Sequence, residues 1–378
     1  MMMHAGQKWK DESSARKESP SALVGEQGMT LIELAVGAVV AMLVVAGAYA
    51  VLTSSQKSTH ANDQIVETQQ NVRIAMDLLS RDIKNAGFGW AGPVPGPSST
   101  TCATPIVPLD KDPTGNDMGP DSIRLAVPIG SSIAPAWTLT NAVLGKVKIT
   151  GVSMSAGAVA NMATEAGGSL NGSIVTIAGA STVTVTGVTP SGSTSILNFA
   201  STLLPAYSIG IPVYLSQCVT YSIGTTAAAC GGVGPCLLRN GVSVADGVED
   251  IQFAYACDGC VATVNSGVAD RIIDNQGGAT GFDQADFITN NQWTLAPMTA
   301  DKIRLVQITV VARQTDADLG LGEKQTTMAL SSAPLQVSDH NHAQGLFTAG
   351  DLTTMNPPYT QYRRRMLTRT VETRNQRS

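Results

Sequence analysis

Charge is scarce in this 378-residue chain. Asp, Glu, Lys and Arg together make up 14% of it, where an average soluble domain carries about 25%. The formal net charge is only −5, which excludes disorder driven by charge repulsion. With a pI near 5.4 there is no sequence-wide basic footprint, so a nucleic-acid partner is disfavoured. Aromatic residues are equally thin, at 4%. Long apolar runs are nearly absent as well. One segment alone approaches the roughly 20 residues that cross a bilayer, and the mean hydropathy is +0.09, so a polytopic membrane protein is excluded. No Walker A loop, G-x-S-x-G, H-E-x-x-H or dinucleotide fingerprint occurs. Nothing supports catalysis, and no cofactor or metal is assigned. What is plentiful is glycine, 37 residues of it, together with Ser and Thr. That composition suggests a β-rich surface of neutral hydroxyls, common outside the cytoplasm.

The single apolar run is Leu34 to Leu52, free of charge, Pro, Asn and Gln. Counted from Met29 it covers residues 29–52, interrupted only by Thr30 and Glu33. A secretory signal core is about 7–15 residues and ends in a small-residue cleavage site; here the run is longer and continues as a polar helix. Lys8, Lys10, Arg16 and Lys17 precede it, which places the N-terminus in the cytoplasm and the large C-terminal part beyond the inner membrane. Glu33 is out of place in such a segment, where an unpaired carboxylate costs several kcal/mol. Two readings fit it. One is an interfacial carboxylate favoured by the helix N-terminus. The other is a cut between Gly28 and Met29, which would create an ammonium one turn away, on the same helix or on a packed neighbour.

Residues Gly28-Met29-Thr30-Leu31-Ile32-Glu33-Leu34, followed by the uncharged run, resemble the class III signal of type IV pilins and type II secretion pseudopilins. The resemblance implies that prepilin peptidase removes a leader, residues 1–28, by cutting after Gly28. Met29 is then N-methylated, and Glu33, the fifth mature residue, guides docking into the fibre. Two departures from the family pattern are the first mature residue, Met rather than Phe, and the long leader.

Beyond the membrane the same helix is predicted to continue over residues 53–88. No Pro lies between Met29 and Trp90. Ile65, Val72, Met76, Leu79, Ile83 and Ala86 form one stripe at helical spacing, with charges of both signs opposite. A dimeric coiled coil is the alternative use of that stripe. Gly87 and Gly89 are stop signals. Gln69 to Phe88 is similar to the helix end of PilW-type minor pilins, with Leu78-Leu79-Ser80-Arg81-Asp82 and Ala86-Gly87-Phe88 as its marks. Arg81 and Asp82 are assigned solvated or sheet-edge contacts.

Residues 89–378 are predicted as a β-rich head, with a Gly/Ser/Thr-rich β insertion around 151–202. Candidate strands are residues 122–127, 146–149, 173–177, 182–186, 213–216, 236–239, 250–256, 261–264, 304–312, 326–329 and 367–373. Two further segments are similar to PilW-type pilins: Val244 to Tyr255, around Gly247-Val248-Glu249-Asp250-Ile251-Gln252-Phe253, and the basic end Arg363 to Val371, closing on Arg374-Asn375. A phosphate or DNA patch is the alternative for that end.

All six cysteines follow the membrane segment, and in an oxidising envelope an even count favours disulfides. Cys257-Asp258-Gly259-Cys260 reads as a two-residue hairpin whose flanking pair is bridged. Cys230 and Cys236 staple the loop between them, which leaves Cys102 with Cys218; fifteen connectivities are open. Zinc binding by Cys230, Cys236, Cys257 and Cys260 is the alternative, and a redox CxxC a weaker one. Asp110, Asp112, Thr114, Gly115, Asn116 and Asp121 loosely follow calcium-loop spacing, but Pro113 interrupts them and a solvated loop is preferred. His340 and His342 have no evident third metal ligand.

The fold class expected is α+β: a long N-terminal helix, half membrane-spanning and half amphipathic, packed on an antiparallel β-sheet head with extra β-rich insertions. The function expected is that of a non-enzymatic minor pilin that helps initiate type IV pilus assembly near the tip. It would sit as a single pass in the inner membrane, then in the periplasm and the extracellular fibre. The partners implied are prepilin peptidase, the major pilin and other minor pilins, the inner-membrane assembly platform, a tip adhesin and inner-membrane lipid. A large J-like type II pseudopilin is the nearest alternative. A membrane-anchored envelope binding protein or enzyme is the alternative of another class.

Overall fold

The apolar run and the stripe after it form one continuous helix, α1 (Leu31–Asn85), in the computed structural model. The structure describes residues 29–374, apart from 98–99, 111–118, 130–136, 144, 146, 179, 233, 277–280, 290–292, 317–335, 338–339 and 342–361. The chain divides into two compact units, Met1–Ser58 and Thr59–Ser378. In the first, the described residues are the start of α1, and almost every side chain on it is exposed. By length and composition this helix is apolar enough to cross a membrane.

In the second unit the rest of α1 buries one face: Gln64, Thr68, Val72, Ala75, Met76, Leu79, Asp82 and Ile83. The i, i+3/i+4 spacing puts them on one side of a 3.6-residue turn. The last turn ends against a strand, where Gly87 N–H donates to the carbonyl of Ala126 at 2.9 Å.

The strands follow in chain order. β1 (Val94–Pro95) pairs with β2 (Thr101–Cys102). Then come β3 (Ile106–Leu109), β4 (Ser122–Pro128), β5 (Val147–Ser155), helix α2 (Ala156–Glu165), β6 (Ile174–Ile177), β7 (Ser181–Ser191), β8 (Thr194–Leu204), β9 (Val213–Gly224), β10 (Cys236–Arg239) and β11 (Val242–Asp246). β12 (Val248–Cys257), the short β13 (Thr294–Leu295) and β14 (Met298–Thr299), β15 (Ile303–Arg313), β16 (Gln336–Val337), β17 (His340–Asn341) and β18 (Arg364–Glu372) complete the described set.

Every pairing among these strands is antiparallel. The nine-stranded sheet runs β11-β10-β9-β6-β7-β8-β5, with β4 also on β9 and β3 on β4. β9 is its spine: residues 213–216 pair with β6, 216–221 with β4 and 221–224 with β10. The three-stranded sheet runs β12-β15-β18.

Two cores result. The larger lies under α1 and gathers Met76, Leu79 and Ile83 with Leu125 of β4, Tyr221 of β9, Phe253 of β12 and Ile308 of β15. The smaller holds residues between Trp137 and Leu215, with Met154, Val159, Met162, Val185 and Phe199 at its centre. The second core explains how a stretch with little charge stays folded: its alternating residues are buried against α2.

Three expectations are corrected. Residues 156–165 are helical rather than β, because Ser155 accepts the N–H of Ala158 as an N-cap and an Ala-rich sequence follows. Residues 261–264 are turn rather than strand. β12 does not return through Asp258-Gly259 as a two-residue hairpin; its antiparallel partner is β15. The expected strand at 326–329 lies outside the described residues, as do Asp112, Thr114, Gly115, Asn116 and His342.

Candidate functional site

The start of α1 is a reciprocal cap. Glu33 Oε2 accepts the backbone N–H of Thr30 at 2.9 Å and the Thr30 hydroxyl at 2.9 Å. The Thr30 hydroxyl oxygen in turn accepts the N–H of Glu33 at 3.3 Å. This is the capping box of a T-x-x-E sequence, which satisfies helix-end donors with no other partner inside the helix. The T-x-x-E spacing that marks it is legible in the sequence. Met29 immediately precedes the cap and is 73% exposed. Gly28 and the rest of residues 1–28 lie outside the described residues.

Past the cap, α1 presents apolar side chains on all sides. Leu31 is 85% exposed, Met42 72% and Val51 71%. In water such a surface is unfavourable by about 25 cal/mol per Å2. Glu33 is thus the one charge in an apolar cylinder, at the end where a helix dipole favours an anion.

In the second unit, charged pairs join the segments that carry the family likeness. Glu249, on β12, is buried and pairs with Arg364 of β18 and, at 3.6 Å, with Arg313 of β15. The Arg313 guanidinium lies 4.0 Å from the centre of the Tyr362 ring. Arg369 of β18 reaches back to α1, donating to Asp77 at 2.8 Å. Of the solvated or sheet-edge contacts expected for this pair, Arg81 takes the first, at 60% side-chain exposure, and Asp82 turns to the sheet, with its side chain 5% exposed. Asp82 accepts from the Tyr221 hydroxyl at 2.7 Å and from Arg239 Nε at 3.1 Å. Burial first, then the facing Asp82 carboxylate, pushes the Tyr221 phenol well above its ordinary range, with Arg239 opposing. Sequence reasoning missed Tyr221 and Arg239, which lie 139 and 157 residues from Asp82. With Arg364 and Arg369 engaged inside the chain, the basic end serves the fold at those two positions.

The structure brings the cysteines together in three pairs: Cys102 with Cys218, Cys230 with Cys236, and Cys257 with Cys260, at Cα separations of 5.5, 5.6 and 5.9 Å. The last pair closes a loop organised by carboxylates. Asp274 accepts the N–H groups of Gly259, Cys260 and Val261, each at 2.9 Å. Asp258 accepts those of Asp270 at 2.9 Å and Arg271 at 3.1 Å. These acceptors turn the chain away from β12 after Cys257, which is why no hairpin forms there. Of the calcium-loop candidates, Asp121 is buried and accepts the N–H of Phe253 at 2.9 Å. His340 sits in β17.

A long apolar N-terminal helix leading into antiparallel sheets defines an α+β protein. Residues 224–375 match the family described as Type IV Pilus-assembly protein W. That stretch holds β10, β11 and the whole three-stranded sheet, so the likeness to that family covers the C-terminal two-fifths of the chain. Among solved structures, a type IV-like pilin from Thermus thermophilus aligns over 82% of this chain and 98% of its own, at 10% identity and a TM-score of 0.27. No curated protein matches the chain.

Proposed function

We propose that this chain is a minor pilin, cut by prepilin peptidase between Gly28 and Met29, N-methylated on Met29 and built into a type IV pilus. The observation that carries the reading is the exposed uncharged surface of α1 from Leu34 to Leu52, beginning directly after the capped Glu33. Before assembly that surface is covered by inner-membrane lipid; in the fibre it is covered by the helices of the major pilin and other minor pilins. Glu33 then exchanges its contact with Thr30 for the ammonium of a mature N-terminus. The assembly platform supplies the extraction, and a tip position beneath an adhesin follows from the minor-pilin role. The mechanism is packing rather than turnover, so no catalytic residue is assigned.

The test separates docking from capping. Glu33→Gln retains an N3 side chain that can complete a capping box but removes the charge, whereas Thr30→Ala removes the hydroxyl half of the cap and retains the charge. Incorporation into sheared pili should fall at least about tenfold for E33Q, equivalent to about 1.4 kcal/mol, and little for T30A. The reverse order would make Glu33 a structural cap only. Mass spectrometry of the pilus fraction should find a chain beginning at methylated Met29; a chain in the fibre beginning at Met1 overturns the processing step.

A further inference from the structure

We propose that Cys257, Cys260 and Asp274 form a binding site for a thiophilic divalent cation, zinc in class, whenever the Cys257–Cys260 bridge is reduced. One ligand atom from each of the three lies within 4.8 Å of the others, and all three residues are buried. This differs from a four-cysteine site, since Cys230 and Cys236 are closed on each other. Asp274 lies in a loop that sequence spacing did not single out.

The loop is braced by contacts that do not involve the bridge. Besides the three N–H groups it accepts, Asp274 donates its own N–H to the carbonyl of Cys257 at 2.8 Å. Lys302 Nζ donates to the carbonyls of Gly259 and Gly267. Gly259 has φ +77°, and a Cβ there would lie 2.3 Å from the Ala269 nitrogen, so the turn is tightly packed. Opening the bridge therefore leaves two sulfurs and a carboxylate in place around one point. Reduction by a dithiol balances: the dithiol becomes a disulfide, and its two hydrogens pass to Cys257 and Cys260. Metal binding then displaces the two thiol protons to solvent. Two thiolates and a carboxylate form a donor set that suits zinc. They carry three negative charges against two positive, and the Lys302 ammonium at the same loop offsets the remainder. The bridge and the ion are mutually exclusive occupants of one loop.

The test uses the full chain in detergent, reduced with a dithiol, desalted without oxygen and titrated with Co2+ alone. One equivalent per chain should bind with a thiolate-to-cobalt charge-transfer band, and added Zn2+ should bleach it. The oxidised chain should show no such band. The double variant Cys257→Ser/Cys260→Ser should lose the band. Asp274→Asn keeps one of the two acceptor oxygens, enough for Cys260 and Val261 N–H, and loses the charge; it should weaken binding by at least about tenfold. Cys230→Ser/Cys236→Ser should bind as the parent does. The proposal is overturned by equal cobalt binding in the Cys257/Cys260 variant, by no binding to the reduced parent, or by loss of circular dichroism on reduction, since the brace must outlast the bridge.

Discussion

Glu249 and Arg364 form a buried ion pair across 115 residues of sequence, with side chains 4% and 6% exposed. Each stands in a different segment of family likeness. Glu249 belongs to the strand Val248–Cys257 and Arg364 to the basic strand Arg364–Glu372. β15 lies between them, and its Arg313 meets Glu249 from the same side. The pair thus spans all three strands of the sheet.

Breaking such a pair on one side leaves a buried charge without compensation, at about 3–5 kcal/mol. Glu249→Ala should destabilise the second unit by that amount and expose Arg364 and Arg313 to mutual repulsion. Glu249→Ala combined with Arg364→Met should recover part of the loss, because one of the two orphaned guanidiniums is gone and the repulsion with it. Denaturant unfolding of the four members of the cycle measures this. Additive losses would show that the two residues are not coupled.

Asp82 performs the equivalent task between helix and sheet. It is held by the Tyr221 hydroxyl and by Arg239, whose Nη2 lies 3.0 Å from it. Asp82→Ala removes the acceptor and leaves a buried hydroxyl and a half-buried guanidinium without it, for a predicted loss of about 3 kcal/mol. Amide exchange should report where: protection over residues 72–85 of α1 should fall more than protection in β15. Uniform loss across both would assign Asp82 no local role in docking the helix.

The same cluster predicts an alkaline limit to stability. In the unfolded chain a phenol titrates near about 10, whereas burial and Asp82 hold Tyr221 above that value, and burial with Asp121 and Asp110 does the same for Tyr255. The folded state therefore keeps protons that the unfolded state has released. The contribution of each is fully present below about pH 10 and is lost as pH rises toward the folded value. Tyr221→Phe should be less stable than the parent at neutral pH, having lost a hydrogen bond to a carboxylate. The gap should narrow above about pH 10, since the variant has one fewer phenol to release. Parallel stability curves across that range would contradict the assignment.

How much of this was legible in the sequence follows from the range of the interactions. The helix was, because Val72, Met76, Leu79 and Ile83 declare their shared face within a few turns. β12, β15 and β18 were, because their apolar and β-branched runs are long. For Asp82 the choice between solvated and sheet-edge contacts stayed open, because its partners on the sheet, Tyr221 and Arg239, are far away in sequence and carry no local mark. The turn at Cys257 was misread for the same reason: Asp-Gly between apolar runs favours a hairpin locally, and Asp274, 17 residues beyond Cys257, overrides it. Helix α2 was overlooked although its signal is local, an N-cap Ser155 ahead of an Ala-rich turn; the surrounding Gly, Ser and Thr masked it. The cap of Thr30 by Glu33 is equally local, marked by the Thr-x-x-Glu spacing.

Gly247 gives the last prediction, and it concerns a motif residue whose role is backbone shape. It begins the Gly-Val-Glu-Asp segment with φ +71°, and an added Cβ would lie 2.4 Å from the carbonyl oxygen of Arg313. Its N–H donates to the carbonyl of Pro235 at 2.8 Å, and its own carbonyl accepts the N–H of Arg313 at 2.8 Å. The residue therefore joins the end of β11 to the start of β12 while closing on β15. Alanine there meets both a left-handed backbone penalty of about 1–2 kcal/mol and a clash with backbone that is already hydrogen-bonded. Gly247→Ala should cost at least about 2 kcal/mol, lower the unfolding midpoint by several degrees and loosen the Glu249 pair two residues on. Gly241→Ala is the control: it shares a positive φ, +80°, but has open space around the missing Cβ, so it should cost only the backbone term. Equal losses for the two variants would mean that close approach to Arg313 is not what places glycine at position 247.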